Sequence, residues 1–210
     1  MKKLLLLVPL FFLVVVGLGQ ISAVTSSGDE VILNADGTWK YVNASLENKN
    51  SIDTNKTNFL KSVNSSFLVK SNKVNCGIYI DPKKWGFAKS GSDEDAEFEF
   101  TLKGKDAYGM IICEKTEIPL ESLGSIAFEN AKNAAPDMAI ARQEYRNVNG
   151  NLLLLIQMSG TIKGIKVTYL GYYFSSPEGS VQLLTYSATN LFDDQKSDLE
   201  QFLNGFVSPK

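Results

Sequence analysis

The 210-residue sequence contains no histidine. That absence removes Ser-His-Asp and Cys-His catalysis, together with histidine-ligated zinc, copper and non-haem iron. Carboxylates, lysines and tyrosines are left as carriers of acid, base or nucleophilic chemistry. Cysteine is scarce: Cys76 and Cys113 are the only two, and they do not form a Cys-x-x-Cys pair, so redox catalysis has no support. No P-loop and no Gly-x-Gly-x-x-Gly occurs, which leaves no nucleotide-cofactor signature. Excess positive charge is also missing. The formal net charge is -2, and removal of Lys2 and Lys3 takes it to -4, so neither a nucleic acid nor an anionic lipid surface is an electrostatically favoured partner.

Long apolar runs are confined to the start of the chain. MKKLLLLVPLFFLVVVGLGQISA places two lysines before an apolar stretch from Leu4 to Val16, followed by small residues. The stretch is too short to span a bilayer and no charged stop follows, so it reads as a secretory signal peptide over residues 1–19, with cleavage after Ala23 as the alternative. No cysteine follows it, which argues against lipid attachment. The expected location is therefore the periplasm or the extracellular space, with no stable membrane anchor after cleavage. Export permits a disulfide between Cys76 and Cys113, worth roughly 3 to 4 kcal/mol in the chain-entropy model. Both cysteines sit in apolar strand-like runs, so two free buried thiols are the equally weighted alternative.

Residues 20–43 read as a three-stranded β-meander, with turns at Ser26-Ser27-Gly28-Asp29 and Asn34-Ala35-Asp36-Gly37. Trp39 and Tyr41 alternate with Lys40 and therefore share one face of that hairpin, which either packs locally or meets a partner. Residues 44–65 are rich in Asn, Lys, Ser and Thr and read as a polar linker. From residue 66 the pattern is that of a folded domain. FLVKSNKVNCGIYIDP supplies one or two strands, AEFEFTLKG and DAYGMIICE a hairpin, and Pro119 to Ala135 a helix with Leu120, Leu123, Ala127 and Ala131 on one stripe. Three β runs follow, Met138 to Val148, Leu152 to Ser159 and Lys163 to Ser175, with Asn149-Gly150 as a turn; SVQLLTYSAT adds another. A closing helix carries Leu199, Phe202, Leu203 and Phe206 on one stripe, with Asp193 or Asp194 as its cap. This order gives an α+β domain: an antiparallel sheet flanked by helices, preceded by a small N-terminal β-meander.

The string IYIDPKKWGF, the Phe-rich hairpin after it, the helix after Pro119, the meander YYFSSPEGSVQLLTYSATN and the closing LEQFLNGF resemble the PsbP/Mog1/DcrB-like α/β/α sandwich group over residues 66–207. The resemblance implies a mostly non-enzymatic role, since that group includes thylakoid-lumen subunits assisting photosystem II, a nuclear transport cofactor and exported bacterial proteins. Thr25, Gly28, Val31, Leu33, Asp36, Gly37, Thr38, Trp39 and Tyr41 resemble a separate DGTW module of exported bacterial proteins.

Few residues stand out as carriers of chemistry. Asp93-Glu94-Asp95 is acidic but lacks the spacing of a preformed calcium loop, so a solvated turn is the expectation and no metal or cofactor is implied. Trp85 is either a partner anchor or, with more weight, a core residue. Tyr169 and Tyr173 fall on one face of a strand, with Tyr172 and Phe174 on the other. Glu144, Glu178 and Glu200 define no acid/base pair. The reading is an exported, non-enzymatic binding or assembly module with a protein partner, not an enzyme. Partner-surface candidates are Trp39, Tyr41 and Trp85; the alternatives are a carboxylate-dependent glycan hydrolase or a small-ligand carrier.

Overall fold

The computed structural model describes residues 21–25, 28–34, 38–43, 52–91 and 95–209. The chain divides into two compact units, residues 1–51 and 52–210. In the first, β1 (Ile21–Val24), β2 (Glu30–Leu33) and β3 (Trp39–Tyr41) form an antiparallel sheet in that order. The register pairs Val31 with Tyr41 and Leu33 with Trp39. Gly28 carries the positive φ of +87° that its turn demands, while Asp36-Gly37 lies outside the described residues.

The second unit is built on an eight-stranded sheet. It comprises β4 (Thr54–Phe59), β7 (Trp85–Lys89), β8 (Phe98–Leu102), β9 (Ala107–Glu114), β10 (Ala139–Val148), β11 (Asn151–Ile162), β12 (Ile165–Ser176) and β13 (Gly179–Ala188). Their order is β4-β10-β11-β12-β13-β9-β8-β7. All neighbours are antiparallel except β4, which lies parallel to β10. A second, three-stranded sheet has the order β14-β6-β5, from β14 (Phe206–Val207), β6 (Gly77–Ile80) and β5 (Phe67–Lys70). Helix α1 spans Leu120–Ala134 and helix α2 spans Thr189–Leu203.

Alternation along the central strands sets up two cores. Leu153, Leu155, Leu170, Tyr172, Val181 and Leu183 face Leu199, Phe202 and Leu203 of α2 and the inner side of the small sheet. Leu154, Ile156 and Tyr173 point the other way and receive Leu123 and Ala127 of α1. Because successive side chains of a strand point to opposite faces, one run of apolar residues feeds both layers. The expected split of Tyr169 and Tyr173 from Tyr172 and Phe174 is this division. Asn149-Gly150 joins β10 to β11 with φ of 49° and 83°, a turn whose twist matches that of the flanking strands.

Three expectations are corrected. The polar linker over residues 44–65 is not one segment: 44–51 lie outside the described residues, but Thr54–Phe59 forms β4, an edge strand whose polar side chains face solvent while its backbone pairs with β10. Asp193 and Asp194 do not cap α2, which begins at Thr189 with Ala188 as its cap and encloses both aspartates. Phe206 leaves the helix and enters β14, because Asn204 and Gly205 turn the chain first. A side chain at position 205 would collide with the Tyr79 carbonyl, and the Gly205 carbonyl accepts a hydrogen bond from the Tyr79 N–H at 2.8 Å.

Candidate functional site

The sequence candidates separate once their surroundings are known. Trp85 opens β7 facing the core, is 3% exposed, and packs on Phe202 with ring centroids 4.2 Å apart. It is a core residue and offers no surface to a partner. Trp39 is 52% exposed and meets the half-buried Tyr41 edge-on at 5.1 Å, so the two rings do share one face of the meander. Asp93 and Glu94 lie outside the described residues. Among the described residues, no group of three or more His, Cys, Asp or Glu is placed to hold a metal ion.

The Cys76 and Cys113 sulfurs lie 3.9 Å apart, both buried and both free thiols. Their mutual hydrogen bond and their burial hold the Cys76 thiol well above the usual thiol range, so it is protonated at neutral pH. Glu97 lies beside them, 6% exposed, accepting hydrogen bonds from the Ser71 hydroxyl at 2.6 Å and the Asn72 N–H at 2.7 Å. Burial opposes its ionisation, but these bonds outweigh burial and hold the carboxyl below its ordinary range.

Glu144 and Glu200 converge on one guanidinium. Arg146, 2% exposed, donates from Nε to Glu144, hydrogen-bonds the Tyr172 hydroxyl at 3.1 Å, lies 3.6 Å from Glu200 and sits 4.2 Å above the Phe59 ring. Burial works against the Glu144 carboxylate, yet hydrogen bonds from Arg146, Asn55 and Arg142 outweigh it and lower its pKa. A general acid for glycoside cleavage needs the opposite shift. Glu178 sits apart, in the exposed turn between β12 and β13.

Two features escaped the sequence reading. The first is an aromatic seam at two sheet edges. Phe67 of β5 is 46% exposed and Phe87 of β7 is 44% exposed; their rings lie 5.5 Å apart. Both strands are terminal in their sheets among the described residues. Phe87 also reaches Phe98 and Phe100 at 6.2 and 6.4 Å, which anchors the seam in the core. The second is a cavity of about 480 Å³ between α1 and the sheet, on the opposite side from α2. Met110, Met138, Met158, Tyr169, Tyr173 and Leu184 form much of its wall. Tyr169, Tyr186 and Tyr108 stand in a row across β12, β13 and β9 beside it, with centroids 5.3 and 5.5 Å apart.

No protein-family model and no curated protein matches this chain. Solved structures do. The cyanobacterial PsbP protein (CyanoP) of Synechocystis superposes with a TM-score of 0.53 at 13% identity, over 68% of this chain and 92% of its own. LpqN of Mycobacterium tuberculosis, described as involved in cell envelope biogenesis, gives 0.46 at 10% identity, over 68% of this chain and 90% of its own. PA94 of Pseudomonas aeruginosa, a protein of unknown function, gives 0.45 at 11%, over 69% and 96%. The chain thus has a PsbP-like α+β fold, in agreement with the resemblance in its sequence. At such identity the likeness speaks for fold and not for activity.

Proposed function

We propose that this protein is an exported, non-enzymatic binding module that engages a partner protein through the Phe67–Phe87 seam. The observation that carries the reading is the seam itself: two large aromatic side chains, half out of water, with rings in tilted contact where a terminal strand of each sheet comes to the surface. Exposed aromatics anchored in a core are typical of interface hot spots, and a terminal strand offers unpaired backbone groups to an extended peptide. Export is supported by the Lys2-Lys3 and Leu4 to Val16 pattern, and no described helix is long and apolar enough to cross a membrane. The non-enzymatic part is supported by the missing histidine and by the engagement of Glu144 and Glu200 with Arg146.

Affinity purification from native envelope extract tests the reading, comparing the wild-type protein with the Phe67→Ser/Phe87→Ser variant. The expected result is a discrete set of proteins retained by the wild type and lost from a variant that still unfolds cooperatively. An identical set from both forms contradicts the proposal.

A further inference from the structure

The cavity on the far side of the sheet from the seam has the construction of a small-molecule site. Its volume of about 480 Å³ falls in the range of ligand pockets, roughly 300 to 1,000 Å³. The helix contributes small residues, Ala127, Ala131 and Ala134, which hold space open beneath α1. Met110 of β9, Met158 of β11 and Met138, just before β10, contribute unbranched thioether chains that adapt to the shape of an occupant.

One polar group in the wall has no partner. The Tyr173 side chain is fully buried, and its hydroxyl makes no hydrogen bond among the described residues. Burial pushes that hydroxyl well above the usual tyrosine range, so it is present as O–H, donor and acceptor at once. A buried hydroxyl without a partner is unfavourable, and a bound molecule carrying a polar atom relieves the deficit. Gln182 also lines the cavity and offers a second polar contact, through its amide.

The charge of the wall selects the occupant. Among the described residues, Asp95 and Glu114 are the charged ones that line it, and no lysine or arginine does. An anion would therefore meet carboxylates with no cation to balance it, which disfavours fatty acids and phosphates.

We propose that the α1 cavity binds a small amphiphile with an apolar body and no negative charge, whose polar atom hydrogen-bonds the Tyr173 hydroxyl. This site is independent of the partner seam, which lies on the opposite face of the sheet.

Fluorescence titration with the neutral dye N-phenylnaphthylamine, beside its sulfonated counterpart anilinonaphthalene sulfonate, tests the proposal on the full mature chain. The neutral dye should bind saturably with one site, at least about tenfold more tightly than the sulfonate. Ala131→Trp, which puts an indole into the cavity, should weaken the neutral dye by about tenfold or more while the thermal transition stays cooperative. Tyr173→Phe should do two things in opposite directions: raise the melting temperature without dye, by removing the unpartnered hydroxyl, and weaken dye binding. A purely structural tyrosine would not show that split. The proposal is overturned if the wild type shows no saturable binding, if the sulfonate binds as tightly as the neutral dye, or if Tyr173→Phe binds the dye unchanged.

Discussion

At Arg146 a guanidinium almost wholly out of water meets one carboxylate through Nε, a second at 3.6 Å, a tyrosine hydroxyl and an aromatic ring. The charge is tolerated because every direction from which water was stripped offers a compensating group. Truncating Arg146 takes a charged donor from Glu144, which keeps only Arg142 and Asn55, and from the buried Tyr172 hydroxyl, which keeps only Asn204. Arg146→Ala is expected to destabilise the protein by about 3 to 5 kcal/mol, measured by urea unfolding, because Glu144 would keep its charge without its principal partner. Glu97 gives a pH signature. Its folded pKa lies below its ordinary value of 4.5, so its contribution is fully present above that value and is lost as pH falls through the lower, folded one. Glu97→Gln should cost about 1 to 3 kcal/mol at neutral pH, and the gap to wild type should close in acid, since only the wild type takes up that proton on unfolding. Equal acid limbs for both proteins would show that Glu97 contributes nothing through its charge.

The elements differ in how plainly the sequence announced them. Phe98 and Phe100 alternating with Glu99, the turn at Asn149-Gly150 and the Leu123/Ala127 stripe each repeat a period that matches their local geometry, so β8, β10–β11 and α1 were legible. Strand β4 was not, because TNKTNF carries a single large apolar side chain and is held by backbone pairing with β10, about 90 residues away in sequence. The helical spacing of Phe206 concealed β14, although Gly205, a usual helix-terminating residue, marked the exit. The cavity could not be foreseen, since its wall combines α1 with one face of four strands, and no single segment shows it. The cysteines join two elements as well, Cys76 just before β6 and Cys113 within β9. With sulfurs 3.9 Å apart, they should form a disulfide under an oxidant such as diamide, with loss of both titratable thiols and a gain of roughly 3 to 4 kcal/mol. Cys113→Ser should abolish that gain; thiols that persist under oxidant would show that the sheets hold them too rigidly to close.

On the scale of the whole molecule, the unit over residues 52–210 carries two hydrophobic layers about one sheet, with α1 on one side and α2 with the small sheet on the other. Such a sandwich buries its chemistry-bearing residues as structural partners: Arg146 with Glu144, Glu97 with Ser71, Cys76 with Cys113. At the Phe67–Phe87 edge it leaves two large aromatic side chains half-exposed, and the proposed binding role rests on that apolar surface. The most direct measurement is photo-crosslinking in the native host with benzoylphenylalanine at position 87, compared with position 165, an exposed isoleucine at the start of β12, away from the seam. A binding module predicts a discrete protein adduct from position 87 and none from position 165. Absence of an adduct from position 87, or the same adducts from both positions, would contradict it.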